Sequence, residues 1–163
     1  MKFYLFLLFI FLNITLFSQS NGGVFIEEKL RVILSNADED LETILTICKL
    51  EDGLTHQDRA DENYTFTYQS PEQDYLLNVT FYFNKMFAKK IKIEITPADN
   101  DDMNISSIVS RVLKKKFKIQ KQVVADATSQ TIKYFLSDNR YSGILAVNHD
   151  TKKIDLVLSI KTD

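Results

Sequence analysis

Apolar residues along this chain of 163 residues switch repeatedly between two spacings. Steps of three and four residues over 25–50, and again over 105–117, predict amphipathic helices. Alternation of apolar and polar residues follows each helical stretch and is most regular over 90–95. Such alternation predicts strands that bury one face of a sheet and expose the other. The pattern therefore predicts the order helix, strands, helix, strands.

Polar segments divide these elements further. The first helical stretch is predicted to break at 35–38, with Asn36 or Asp38 as the N-cap of a second helix. Gly53 is predicted to end that helix, because glycine readily adopts the left-handed backbone of many helix ends. The polar segment 54–62 is predicted to be a loop.

Seven strands are predicted, three before Pro97 and four after residue 116. Pro97 ends the third strand because proline cannot donate a ladder hydrogen bond. The predicted strands cover 64–68, 75–83, 90–95, 117–124, 131–136, 141–147 and 153–160.

The two halves of the chain resemble each other. Residues 89–95 match residues 152–158 at an offset of 63, and Tyr75 and Tyr141 begin the preceding strands. A duplicated ancestor is the hypothesis that this match suggests. The predicted fold is α+β, with two helix-plus-meander units over 24–98 and 103–163. These units are expected to pair strand edges and to place their helices on one face of an antiparallel sheet.

The N-terminal residues predict export. Lys2 precedes an apolar run that ends at Phe17, and small polar residues follow, which is the layout of a secretory signal peptide over residues 1–18. The run is shorter than the roughly 20 apolar residues of a membrane-spanning helix. We therefore expect a secreted or extracytoplasmic protein, periplasmic in a bacterium, with no transmembrane span after signal removal. In a eukaryotic route, Asn63, Asn78 and Asn104 are candidate glycosylation sites.

Charge is distributed unevenly between the halves. Residues 24–103 contain 8 basic and 17 acidic side chains, whereas residues 104–163 contain 11 and 5. Two interpretations of this asymmetry are open: the two halves attract each other, or the second half has a basic binding face. A cluster of basic residues in the second half is explained by a solvated helix face, or by binding to acidic glycans or to a membrane surface. Nucleic acid is not an expected partner of an exported protein. The cluster comprises Arg111, Lys114, Lys115, Lys116, Lys118 and Lys121.

Residues suited to catalysis or metal binding are few. Cys48 is the single cysteine, so no internal disulfide can form, and its apolar surroundings predict a buried, inert thiol. His56 and His149 lie in predicted loops without an evident nucleophile. The acidic segment 99–102 lacks the spacing and the closing glutamate of an EF-hand. We therefore expect no enzyme activity, no cofactor and no metal.

Residues 117–160 resemble the cystatin superfamily, especially the stefin-like inhibitors of papain-type cysteine proteases. The matching segments are 122–128, 132–134, 138–141, 146–147 and 155–159. The resemblance implies that two hairpin ends form a protease-binding edge, with Gln122, Val123, Val124, Ala125 and Asp126 in the first and Asn148, His149 and Asp150 in the second. A similarity to PepSY-type modules, which look like half a cystatin, is the second choice.

Two departures from the family pattern weaken the inhibitory expectation. The family motif Gln-x-Val-x-Gly ends in glycine where this chain has Asp126, which adds a charge that a protease cleft must desolvate. The second hairpin of the family carries a Pro-Trp or Leu-Pro pair, and residues 148–150 contain neither proline nor an aromatic residue. The resemblance therefore supports a cystatin-like fold more strongly than inhibition.

The leading functional prediction is a secreted, non-enzymatic binding protein with a protein partner, and the specific prediction is inhibition of cysteine proteases. A structural or envelope-associated module is the first alternative, favoured by the two departures described above. The second is a cone-shaped α+β domain that carries a small ligand or hydrolyses one, which a deep apolar pocket around His56 or His149 would favour. The sequence leaves the oligomeric state open.

Overall fold

The computed structural model describes residues 21–98, 104–122, 131–148 and 150–161. These residues form three helices and eight strands, which confirms the predicted α+β class. In chain order they are α1 (Asn21–Ser35), α2 (Leu41–Leu50), β1 (Leu54–Ala60), β2 (Asn63–Gln69), β3 (Tyr75–Asn84), β4 (Phe87–Pro97), α3 (Asn104–Lys116), β5 (Lys118–Gln122), β6 (Thr131–Ser137), β7 (Tyr141–Asn148) and β8 (Ile154–Ile160). The predicted signal peptide and the acidic segment 99–102 lie outside the described residues.

The eight strands form one antiparallel sheet in the order β1-β2-β3-β4-β8-β7-β6-β5. Each half of the chain contributes a four-stranded meander, and the last strands of the two meanders, β4 and β8, pair at the centre. Ile93 faces Leu156 in the middle of this pairing, and the two positions are separated by the offset of 63 that matches the two sequences. An exchange of the two halves would therefore map this pair onto itself.

The three helices pack on the same face of the sheet. Leu30 of α1, Ile44 of α2 and Val109 of α3 belong to one buried cluster, which also contains Leu77 and Leu156 from the two meanders. Alternate strand residues face this core, as the regular pattern of β4 predicts, and the intervening residues face away from the helices. The strands thus present a second face, which no described helix covers.

The prediction of a loop over 54–62 is wrong. Leu54–Ala60 forms β1, which pairs with β2 and is followed by a turn at Asp61, where φ is 54°. The residues of β1 are almost all exposed because this strand lies at the edge of the sheet. A polar composition therefore reflects the edge position and not the absence of a strand.

Two smaller expectations also change. The N-cap of α2 is Asp40, not Asn36 or Asp38, because the Asp40 side chain accepts from the Thr43 amide at 2.8 Å. Phe117 precedes β5 and is buried, with its ring 6.0 Å from the Tyr141 ring in an edge-on contact. The expected break between the first two helices and the stop near Gly53 are confirmed.

Ion pairs join the two halves across the helical layer. Arg111 of α3 donates to Glu27 of α1, and Arg140 donates to Asp38 in the loop that joins α1 and α2. Partial burial acts to raise the pKa of Glu27, but its two arginine partners, Arg111 and Arg31, hold the pKa below the ordinary value. Attraction between an acidic and a basic half thus accounts for part of the uneven charge distribution.

Candidate binding surfaces

The strand ends that flank the two predicted partner-binding hairpins lie next to each other at one end of the sheet. Gln122 ends β5 and pairs with Lys133, while Thr131 at the start of β6 pairs with Asn148 at the end of β7. The β5–β6 connection and the β7–β8 turn therefore start from adjacent positions at one end of the sheet. Val123, Val124, Ala125, Asp126 and His149 lie outside the described residues.

Asn148 organises the β7–β8 turn. Its side-chain oxygen accepts from the backbone amides of Asp150 at 3.0 Å and Thr151 at 2.8 Å. The backbone amide of Asn148 donates to the Lys153 carbonyl at 3.0 Å. Asp150 is exposed at this turn. Such side-chain bonds to following amides are the usual reason that asparagine favours turns.

The side of the sheet away from the helices is here called the open face. Its residues form rows across all eight strands, because paired residues of neighbouring strands point to the same side. One row runs through the middle of the face, and each of its members pairs with the next. In strand order the described side chains of this row are those of Asp58, Thr65, Thr80, Lys92, Val157, Ile144 and Phe135.

The second half of this row is apolar. Phe135 and Ile144 are 37% and 40% exposed, and Val157 lies beside Ile144 on β8. We call these three residues the apolar row. With Ser142 and Ser159 they line a groove of about 320 Å³ on the open face. Contiguous exposed apolar patches are common on surfaces that bind a partner.

The same row is polar in the first half. The hydroxyls of Thr65 and Thr80 lie 3.0 Å apart, and the Thr67 hydroxyl donates to the Asn78 side chain at 2.8 Å. Asn78 is a candidate glycosylation site, but its side chain is half-buried and hydrogen-bonded to Thr67 on the neighbouring strand. Asn63 is the first residue of β2 and Asn104 the first residue of α3.

Lysines surround the apolar row. Lys133 and Lys118 are exposed on β6 and β5, and Lys92 lies on β4 in the same row as Val157. Glu94 accepts from Lys92 and Lys153 at 3.1 and 3.2 Å. Partial burial acts to raise the pKa of Glu94, but these two ammonium groups hold it below its ordinary value. The rim of the row therefore contains lysines from β4, β5 and β6, and on β4 and β8 it also contains the carboxylates of Glu94 and Asp155.

Of the residues considered for catalysis, the structure describes Cys48 and His56. Cys48 is buried, and desolvation raises the pKa of its thiol to about 11, so the thiol is protonated at neutral pH. His56 is exposed on the edge strand β1. The described residues contain no group of three histidine, cysteine or acidic side chains placed to hold a metal ion.

The apolar row was not predicted from the sequence, although the sequence contains a signal for it. In a strand with one buried face, two consecutive apolar residues place one of them on the exposed face. Phe135 precedes buried Leu136, Ile144 precedes buried Leu145, and Val157 lies between two buried leucines. Only the order of the strands shows that these three residues of the open face are neighbours.

The chain matches no protein-family model, no curated protein sequence and no solved structure. The resemblance to cystatins therefore stays a prediction. No helix among the described residues has the length and apolar character needed to cross a bilayer.

Proposed function

We propose that this chain is a non-enzymatic binding protein and that the open face of its second half receives a protein partner. The observation that carries this proposal is the apolar row of Phe135, Ile144 and Val157 on three adjacent strands. A shallow groove on a sheet suits a broad protein surface better than a small ligand, which is usually enclosed in a deep cavity.

The surroundings of the row support a partner of defined chemistry. Protein interfaces combine an apolar centre with a polar rim. Here the rim contains Ser142 and Ser159 and the basic side chains Lys92, Lys118 and Lys133. The partner that complements it has an apolar patch bordered by carboxylates, because opposite charges favour association and like charges disfavour it.

Site-specific photocrosslinking of the full chain tests this surface. A photoreactive side chain at position 144 should give a discrete adduct with one protein in the fluid or compartment that contains the native chain. The same group at position 65, which occupies the same row in the polar half, should not. With the captured protein purified, Ile144→Asp should weaken binding about tenfold or more and Thr65→Asp less than about twofold.

Three results would contradict the proposal. They are adducts at position 65 but not 144, equal losses of affinity for the two aspartate variants, and an adduct at position 144 that consists of two copies of this chain. The last result would identify self-association, which sedimentation of the purified protein also detects.

Inhibition of papain-type cysteine proteases is a second candidate function. The observation that favours it is the pairing of Thr131 with Asn148, which starts the two connections of the predicted protease-binding edge from adjacent positions. Because Asp126 stands where the resemblance implies glycine, Asp126→Gly should strengthen the inhibition of papain about tenfold or more. Absence of inhibition by both the unchanged chain and this variant, at micromolar excess, would remove this candidate.

A further inference from the structure

A basic cleft lies where the end of α3 meets β5 and the turn between β6 and β7. It has a volume of about 490 Å³ and is separate from the groove on the open face. Five cationic side chains line it, against the single carboxylate of Asp138. The cations are Lys114, Lys115, Lys116, Lys118 and Arg140.

Two of these cations are held in place by the other half of the molecule. Arg140 donates to Asp38, and Lys116 donates to the Leu34 carbonyl at the end of α1. Lys116 also lies over the Tyr141 ring, with its ammonium nitrogen 5.0 Å from the ring centroid. These contacts preorganise one wall of the cleft, so a ligand would not need to order those side chains.

The other three cations face solvent. Lys114, Lys115 and Lys118 are exposed, and within the described part of the chain none of them forms a salt bridge. One oxygen of the Asp138 carboxylate, Oδ1, accepts from the amides of Arg140 at 2.7 Å and Tyr141 at 2.6 Å, and this carboxylate is the only one among the residues that line the cleft. The negative charge among the residues that line the cleft therefore neutralises only part of their positive charge.

Burial also lowers the pKa of Lys116, and Arg140 lowers it further, against the opposing effect of Asp38 and Asp138. The charged form of Lys116 is thus disfavoured where it lies. An anion placed in the cleft would offset that cost, because an opposite charge nearby favours the ionised form.

Stabilisation of the helix end does not explain the whole cluster. Cations in the last turn of a helix interact favourably with its dipole. That effect accounts for lysines at the end of α3 but not for Lys118 and Arg140, which come from β5 and the β6–β7 turn. Cations from three separate elements converge on one space.

We propose that this cleft binds a phosphate or sulfate group carried on a larger anionic molecule. Several lysines and one arginine are the side chains that suit a compact oxyanion with more than one negative charge. The volume exceeds that of a single ion, so the rest of the molecule has room beside the group. Of the cations that line the cleft, only Lys118 also borders the apolar row.

Titration of the full chain with two probes, inorganic phosphate and a sulfated heparin hexasaccharide, tests the site at about 150 mM salt, where distant surface charges are screened. The variant is Lys114→Glu combined with Lys115→Glu. The matched control is Lys49→Glu combined with Lys89→Glu, which changes the net charge equally at exposed lysines outside the cleft. The cleft pair should weaken hexasaccharide binding about tenfold or more and the control pair less than about twofold.

The two probes distinguish the source of the anion. Phosphate binding with perturbed amide signals at 138–140 supports a site for a single group, and binding of the hexasaccharide alone supports a site that needs an extended anion. Lys114→Gln with Lys115→Gln repeats the test without charge reversal, in case the glutamate pair unfolds the chain. Equal losses in the cleft and control pairs, or no binding of either probe, would overturn the proposal.

Discussion

The two halves of the sheet share one buried face and differ on the open face. Toward the helices, both meanders present alternating apolar residues, such as Leu77 in the first and Leu145 in the second. On the open face, the threonine pair of Thr65 and Thr80 occupies the row that holds Phe135 and Ile144 in the second half. Packing constrains the side that meets the helices, whereas the side that meets solvent can differ between the halves without disturbing the core.

Backbone hydrogen bonds show how closely the two frameworks correspond. The Ser70 amide donates to the Tyr75 carbonyl at 3.1 Å, and the Asp138 amide donates to the Tyr141 carbonyl at 3.0 Å. The Ala98 amide donates to the Asp74 carbonyl and the Lys161 amide to the Arg140 carbonyl, both at 2.7 Å. The turns that precede Tyr75 and Tyr141 therefore have corresponding backbone hydrogen bonds.

The largest expected effect concerns Leu77, the third residue of β3, which is fully buried. Leu77→Ala should lower the free energy of unfolding by about 2–5 kcal/mol, because it removes apolar contacts and leaves a cavity. Urea unfolding measures this loss. Leu76→Ala, on the open face, should cost less than about 1 kcal/mol, and equal losses at the two positions would contradict the assignment of the faces.

Gly143, the third residue of β7, is the counterpart of Leu77 in the second half. A Cβ atom on Gly143 would lie 2.4 Å from the Val157 carbonyl oxygen, so Gly143→Ala must push β7 and β8 apart. We expect a loss of about 1–3 kcal/mol in the free energy of unfolding. Ser142→Ala is the control and should change stability by less than about 0.5 kcal/mol. An unchanged urea midpoint for Gly143→Ala would show that the two strands are not so close.

The turns before the two tyrosines provide a third comparison. The Ser70 hydroxyl accepts from the buried Tyr75 amide at 3.0 Å, and the Asp138 carboxylate accepts from the Tyr141 amide at 2.6 Å in a more exposed turn. Ser70→Ala should cost about 1–3 kcal/mol because a buried donor loses its acceptor, and Asp138→Ala about 0.5–1.5 kcal/mol because water can replace the carboxylate. Thermal unfolding would refute this order if Asp138→Ala were the more damaging.

The smallest effect concerns Glu94, beside the central pairing of β4 with β8. Its pKa in the folded protein lies below the ordinary value of 4.5, so its contribution is fully present above pH 4.5 and is lost as the pH falls through the folded pKa. Glu94→Gln should therefore cost less than about 1 kcal/mol at pH 7 and nothing measurable at low pH. Urea midpoints at several pH values measure the difference, and a constant difference would contradict the role of the carboxylate. Asp155→Asn, at a more exposed site, is the control.

Local patterns predicted most of the fold because the residues that carry them act within one element. Alternation over Ile91, Ile93 and Ile95 predicted β4, and the break between the first two helices follows from the polar segment around Asn36. The failure at β1 has the opposite cause. An edge strand obtains its stability from hydrogen bonds to β2, and those bonds leave no hydrophobic pattern in the sequence.

The candidate surfaces depended on contacts that cross the chain. Phe135, Ile144 and Val157 each belong to a different strand, and only the pairing of those strands makes them neighbours. The basic cluster was visible in the sequence at Lys114 and Lys115, but the contribution of Arg140 to the same cleft was not. Sequence reasoning identified the type of residue at both surfaces more readily than the residues that meet there.

The arrangement of the meanders also determines how molecules of this protein can meet. Because β4 and β8 occupy the centre, the two outer strands are β1 and β5, and both are polar: β1 contains a bulge near His56, and β5 begins with a lysine. Amyloid-type fibres grow by addition of flat, uncharged strands to such outer positions. The bulge in β1 and the lysine at the start of β5 therefore disfavour the addition of further strands at the two edges of this sheet.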